Sequence, residues 1–422
     1  VAANNGHKTL VYDIDQKKLD MLSSGDRDTI ESCLFEDGLA DLLIRHKDRI
    51  SVTSDYSKVE SWVNICDAVF MCLPTPEIGE TGESNLQYYF DAAEKLAGAL
   101  VKRNGGTQEK YIVIINKSTV PIAMIDQTKA VMNKNGVKNY GVVSNPEFLV
   151  EGKAIAGSLK PDRVAVGAES ERDFGVMRQL YQRFYDAPDV QYLEVNPKEA
   201  AAGKLLANYY LFNKLAVCFD VIGRTCETFP DLKFENIRRI LTSDERIGSW
   251  GLYDSVYAGG SCFIKDARSL AHQLQTAGQD AALVNETYLA NKRQLETFLG
   301  RAGLEAGVLW AGKKVAVIGL AFKRDTNDTR NSASINIVQH LQTEGVAEMR
   351  LYDPAATILF KQQFPESDSF HYFNHEFEAI KDAEIIIIAT DWPQFRGLGD
   401  VIIGEMNPRT LIMDGRRMLQ HR

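Results

Sequence analysis

The chain has 422 residues, 45% of them hydrophobic and 25% charged, which excludes a disordered or fibrous protein and implies two or three domains. Its 48 basic and 57 acidic side chains leave a net charge of −9, so nucleic acid or an anionic membrane meets no general field and an anionic ligand has to be held locally. No apolar run approaches the roughly 20 residues that cross a bilayer, Val1 to His7 lacks the basic start and apolar core of a signal peptide, and the six cysteines show no C-x-x-C pair or zinc spacing, so the expectation is a cytoplasmic protein without disulfide, metal, membrane contact or nucleic-acid partner.

Four short apolar runs open the chain. Thr9 to Tyr12 ends in Asp13, Asp67 to Leu73 ends in Pro74-Thr75-Pro76, Tyr111 to Ile115 ends in Asn116-Lys117-Ser118-Thr119, and Gly141 to Val143 ends in Ser144-Asn145-Pro146. Each is apolar on both faces, as a parallel strand between helical layers requires, so a doubly wound sheet is expected with its ligands at the carboxyl ends of the strands. Thr75 and Thr119 offer hydroxyl contacts there. Asp13 after its strand can accept hydrogen bonds from a ribose and repels a 2′-phosphate, which favours NAD over NADP. A turn aspartate is as ordinary a role for the same residue. No G-x-G-x-x-G occurs anywhere, and Val1 to Asn5 reads like the end of the helix that should follow that loop, so a first strand and glycine turn are expected to be missing ahead of Val1.

From Pro197 to about Leu299 the pattern is helical, and Glu199 to Thr228 forms its longest run. Lys204 and Asn208, four apart, share one helix face, although periodicity alone favours a solvated lysine and a polar helix side chain. The segment Tyr257-Ala258-Gly259-Gly260-Ser261-Cys262-Phe263-Ile264-Lys265-Asp266 carries the most information. Two glycines let the backbone approach a ligand, Lys265 could stabilise a thiolate, and Asp266 could order water or steer a proton. An isolated cysteine is usually a small buried thiol, but these neighbours are a layout for covalent catalysis. A second alternating unit runs through Lys313 to Leu320, Met349 to Asp353, Glu384 to Thr390 and Thr410 to Asp414, with the long helix joining the two units and the reaction cleft between them.

Placed in order, these segments resemble the UDP-glucose/GDP-mannose dehydrogenase family. The likeness runs through Pro74-Thr75-Pro76, Lys117 to Pro121, Ser144 to Gly152, Lys160 to Arg163, Lys204 with Asn208, Asp244 to Gly248, the cysteine segment, Gly319 to Lys323 and Asp414-Gly415-Arg416. The fold it implies is α/β, with two Rossmann-like doubly wound domains joined by a central long helix: residues 1–196 for NAD, 197–299 for dimerisation and 300–422 for the UDP-sugar. The activity it implies is NAD-dependent four-electron oxidation of UDP-glucose to UDP-glucuronate through a thiohemiacetal and a thioester on Cys262. By the same resemblance Glu147 is the general base, Thr119 and Asp266 position water, and Lys204 and Asn208 stabilise the oxyanion. Asp13, Lys18, Thr75, Thr119, Glu151, Lys265 and Arg330 match NAD contacts. Glu147, Phe148, Leu149, Lys204, Asn208, Tyr257, Gly259, Gly260, Phe322, Lys323 and Arg416 match substrate contacts, and Arg246 reaches the neighbouring site of a homodimer. Asn85, Asn327, Ala201, Phe219 and Asp220 depart from the family pattern. A GDP-mannose 6-dehydrogenase, a catalytically impaired nucleotide-sugar binding protein and a two-electron hydroxyacid-type dehydrogenase are the alternatives, the last having no use for Cys262.

Overall fold

Apolar side chains on both faces of short runs turn those runs into buried strands, and in the computed structural model, which describes residues 1–253, 255–405 and 409–419, they are distributed over two units, Val1–Ala207 and Asn208–Arg422. In the first unit, β1 (Thr9–Tyr12) and β2 (Ile50–Thr53) form a parallel pair. A separate five-stranded sheet has the order β3 (Ala68–Met71), β4 (Ile112–Asn116), β5 (Tyr140–Ser144), β6 (Arg163–Gly167) and β7 (Gln191–Val195). Ile112 to Ile115 of β4 are at most 1% exposed, each contributing on the order of 2 kcal/mol by burial.

The sheet is not wholly parallel. β3, β4 and β5 run together, but β6 meets β5 antiparallel, with Ser144 opposite Gly167, and β7 follows β6. The connection from β5 to β6 holds one short helix, Ala154–Leu159.

The expected long helix starts with a reciprocal cap. The backbone N–H of Glu199 donates to Asn196 Oδ1 and that of Asn196 to Glu199 Oε2, both at 2.9 Å, with Pro197 in the first turn where its missing N–H costs nothing. The helix Pro197–Val217 continues through a π turn at Cys218–Gly223 into Arg224–Thr228. Counting uninterrupted apolar runs overlooks this stretch, which by length and composition is long and apolar enough to cross a membrane at mean hydropathy 1.3. It also carries Lys204, Lys214 and Asp220, and Asp220 accepts from Arg224 at 2.9 Å and Arg293 at 2.6 Å, the pattern of a helix in a folded unit.

Helices Phe263–Thr276 and Ala282–Ala306 follow in the second unit. Its sheet is entirely parallel, in the order β10 (Phe370–Tyr372), β9 (Glu348–Tyr352), β8 (Lys314–Ile318), β11 (Ile385–Ile388) and β12 (Leu411–Asp414). The carboxyl ends of β8, β11 and β12 present the turns that hold Phe322, Asp391 and Arg416.

Candidate functional site

In the first unit the loops beyond β3, β4 and β5 are tied to one another. Ser118 Oγ donates to the Leu73 carbonyl and accepts from its N–H, both at 2.7 Å, and the buried Thr75 hydroxyl donates to the Thr119 carbonyl at 2.9 Å. Thr75 and Thr119 therefore lie together. Beyond β5, Asn145 donates to the Ala165 carbonyl and accepts from the Tyr181 hydroxyl. Glu147 Oε2 accepts from the Leu149 N–H at 2.5 Å, while its Oε1 is 3.4 Å from Lys204 Nζ. The Lys204 side chain is 5% exposed, and its ammonium stands 5.4 Å from the centre of the Phe148 ring, whose face Arg163 also covers.

Asp13 follows β1, accepting from the Asp15 N–H and standing 3.6 Å from Lys18 Nζ, so two of the expected NAD-contact residues lie together, both partly exposed. Glu151, Leu149 and Phe148 belong to the loop after Glu147. That loop is anchored by Glu36, whose two carboxylate oxygens accept from the N–H groups of Gly152 and Ala154.

Lys117 received no role from the sequence, yet it sits beside this cluster. Its Nζ approaches Asn145 Oδ1 at 3.4 Å and the Pro146 carbonyl at 3.5 Å, and burial pushes its ammonium down to about 8, against the pull of Cys72 and Glu147. A folded-state value below the unfolded one means that the charged lysine opposes folding below about pH 8, and the cost fades as pH rises towards the unfolded value. Lys117→Met is therefore expected to raise stability by about 1 kcal/mol at pH 7 and by nothing above pH ~10.5, read as the urea midpoint of variant and wild type at both pH values.

In the second unit Cys262 is the N-cap of the helix Phe263–Thr276 and is exposed, with Ser261 Oγ 3.5 Å from its sulfur. Aligned peptide dipoles at that end favour negative charge. One turn on, the Asp266 N–H donates to the Cys262 carbonyl at 2.8 Å. The Asp266 side chain is 1% exposed; its Oδ1 accepts from Lys265 Nζ at 2.5 Å and its Oδ2 from Asn208 Nδ2 at 2.6 Å. The buried carboxylate is thus fixed from two sides, one helical turn after Cys262.

The glycines before Cys262 make room for the protein itself. A Cβ on Gly259 would lie 2.3 Å from the Asn331 carbonyl oxygen, and one on Gly260, where φ is +91°, would lie 2.9 Å from the Phe322 ring. Tyr257 is buried, and desolvation raises its phenol. Lys323 Nζ is 5.5 Å from the Phe322 ring centre. Arg330 grips the Asp328 carboxylate with Nε at 2.9 Å and Nη2 at 2.6 Å while 64% of its side chain remains exposed. Arg416 donates from Nη1 to Ser255 Oγ and from Nη2 to Asp391 Oδ1, both at 2.7 Å. Arg246 is 89% exposed and holds Asp244, whose carboxyl it keeps below the usual range.

Sequence reasoning passed over Lys117, Glu36, Asp328 and Asp391. Asp328 could have been found as the acidic residue two positions before Arg330; Asp391, 25 residues from Arg416, and Glu36, more than a hundred residues from the loop it anchors, left no such signal.

Three family models match the chain: the UDP-glucose/GDP-mannose dehydrogenase family NAD binding domain at residues 1–185, its central domain at 198–293 and its UDP binding domain at 316–421. UDP-glucose 6-dehydrogenase TuaD of Bacillus subtilis is 30% identical over 425 residues, 99% of this chain and 85% of that protein. UDP-glucose 6-dehydrogenase AglM of Haloferax volcanii is 30% identical over 430 residues, covering 100% and 94%. Among solved structures, a UDP-glucose dehydrogenase from Pyrobaculum islandicum superposes with a TM-score of 0.86 at 27% identity, over 99% of this chain and 90% of that one. A UDP-D-ManNAc dehydrogenase from Pyrococcus horikoshii, at 21% identity and a TM-score of 0.82 over 100% and 92%, shares the fold.

Proposed function

The chain belongs to the UDP-glucose/GDP-mannose dehydrogenase family, a family of NAD-dependent nucleotide-sugar dehydrogenases, and from that premise we propose that it oxidises the C6 alcohol of UDP-glucose to the carboxylate of UDP-glucuronate. The observation that carries this reading is Cys262 at the start of its helix, with the Asp266 carboxylate one turn below it held by Lys265 and Asn208. A two-electron dehydrogenase gains nothing from a thiol so placed.

NAD, when bound, supplies the hydride acceptor for both oxidations. The carboxyl ends of β1, β3 and β4 fit a dinucleotide, with the Asp13 carboxylate for the ribose and Thr75 and Thr119 for polar contacts, and Lys18, Glu151, Lys265 and Arg330 are further candidates to hold it.

The protein's own residues do the remaining work. The Cys262 sulfur adds to the aldehyde carbon left by the first oxidation, and the thiol proton passes to the carbonyl oxygen, giving a thiohemiacetal whose carbon again bears a transferable hydrogen. After the second oxidation the sugar is a thioester. Glu147 takes a proton from water, which attacks that carbonyl and releases the carboxylate and the Cys262 thiol, with Thr119 and Asp266 positioning the water. Lys204 and Asn208 stabilise the oxyanion. Phe148, Leu149, Tyr257, Gly259, Gly260, Phe322, Lys323 and Arg416 hold the nucleotide sugar. Arg246 serves the neighbouring site in a homodimer, a role supported by its 89% exposure and by the stripe of exposed Leu206, Tyr210, Val217 and Val221 along the central helix. A domain division at 1–196, 197–299 and 300–422 and a cytoplasmic setting complete the proposal.

Purified protein given UDP-glucose and excess NAD is expected to release two NADH per UDP-glucuronate formed, with no turnover of GDP-mannose. One NADH with free aldehyde, or turnover of GDP-mannose alone, refutes the assignment.

A further inference from the structure

Asp353, the residue after β9, is 3% exposed, and its carboxylate is surrounded by five N–H donors. Oδ2 accepts from the backbone of Leu320 at 2.7 Å and Ala321 at 3.0 Å and from Trp392 Nε1 at 3.1 Å; Oδ1 accepts from the backbone of Ala355 and Ala356 at 2.8 Å each. Leu320 and Ala321 form the turn after β8, the first strand of this doubly wound unit. In such units that turn is where backbone N–H groups meet a ligand phosphate. Here the chain fills the position with a carboxylate of its own. A buried charge so placed is tolerable only because donors satisfy it on every side.

The turn that Asp353 holds leads to the cysteine. Gly319 has φ +91° with its Cα against Thr390, and the Thr390 hydroxyl donates to the Ala321 carbonyl at 2.7 Å, so the turn has little freedom on either side. The next residue, Phe322, bonds its N–H to the Asp328 carbonyl at 3.0 Å and lays its ring where a Cβ of Gly260 would be. The Gly260 N–H donates to the Arg330 carbonyl at 3.1 Å, and Asn331 Nδ2 donates to the Gly260 carbonyl at 3.1 Å. Gly260 is two residues before Cys262.

The geometry points to Asp353 as a positioning residue: a built-in anion that holds the turn after β8 so that Phe322 and the 326–331 loop set the Gly259–Gly260 segment, and Cys262 with it, for reaction. This rests on the reading of Cys262 as the nucleophile. Asparagine keeps one acceptor and brings an N–H₂ against groups that are themselves donors, so Asp353→Asn unseats at least part of the turn without removing volume.

The test is amide hydrogen exchange on the full-length protein without substrate. Asp353→Asn is expected to speed exchange over residues 258–263 by about tenfold, beyond the local loss at 319–322 and 353–356, while residues 112–116 exchange as in the wild type. It is also expected to lower kcat about tenfold with KM for NAD unchanged within about twofold. Loss of protection confined to 319–322 and 353–356 overturns the assignment. Should Asp353→Asn fail to fold, Phe322→Leu leaves the five bonds intact and shortens the ring under Gly260; it is expected to loosen 258–263 alone, and wild-type exchange there overturns the assignment equally. Because exchange is read without turnover, a wild-type protein inactive on UDP-glucose would refute the functional reading and not this one.

Discussion

Cys262→Ser is expected to reduce steady-state NADH formation from UDP-glucose by at least about 10³-fold while leaving the melting temperature unchanged or slightly higher. The two halves of this expectation have separate causes. Serine at the N-cap is a preferred residue, and the side chain is exposed, so the helix Phe263–Thr276 loses nothing by the exchange. The chemistry loses a great deal, because a hydroxyl is a far weaker nucleophile at neutral pH than a thiol poised at a helix amino end. Because the hydroxyl hardly adds to the aldehyde, the defect precedes the second oxidation, and mass spectrometry should find no sugar adduct on the peptide containing residue 262. Turnover within about tenfold of wild type would remove the sulfur from the mechanism.

The strands that the sequence disclosed are runs apolar on both faces: β1, β3, β4 and β5 in the first unit, and β8, β9, β11 and β12 in the second, of which β4, β5, β8, β9 and β11 are almost wholly buried while β1 leaves Val11 exposed. Of the strands it did not disclose, β2 and β10 are short, β7 lies at an edge, and β6 is an interior strand with few apolar residues. β7 leaves Gln191, Leu193 and Glu194 exposed, β10 has three residues, and β6 offers only Val164-Ala165-Val166 before Gly167. The reversal of β6 depends on which strand it meets, a tertiary choice that no local pattern encodes. The site divides along the same line. Asp266 and Cys262 could be read because they are one helical turn apart, whereas the clamp of Asp266 by Asn208 spans 58 residues and periodicity placed Asn208 only on a face. The Gly259–Gly260 pair was legible as a place of close approach, but the approaching partners, Phe322 and Asn331, come from the turn after β8. Asp353 and Lys117 drew no attention because burial, which gives each its importance, is a property of the fold.

Glu147→Gln isolates the last chemical step. The amide keeps the size and the hydrogen bond to the Leu149 N–H but cannot take a proton from water, so hydrolysis of the thioester is expected to slow by about 10²–10⁴-fold while both oxidations proceed. The signature is a burst of two NADH for each active site followed by a stall, with the sugar left on Cys262. Cys262→Ser has no such burst, because its defect precedes the second oxidation. The substitution also strips Lys204, whose side chain is 5% exposed, of the carboxylate 3.4 Å away, so a loss of about 1–2 kcal/mol in urea unfolding should accompany the kinetic defect, reduced from the cost of a fully buried pair because Glu147 is itself 29% exposed. Glu147→Asp restores the charge and a base one methylene short, so it should recover stability more fully than rate. A Glu147→Gln enzyme that turns over steadily within about threefold of wild type, with no burst, would assign the water-activating step to another group and leave Glu147 as the counter-charge of Lys204.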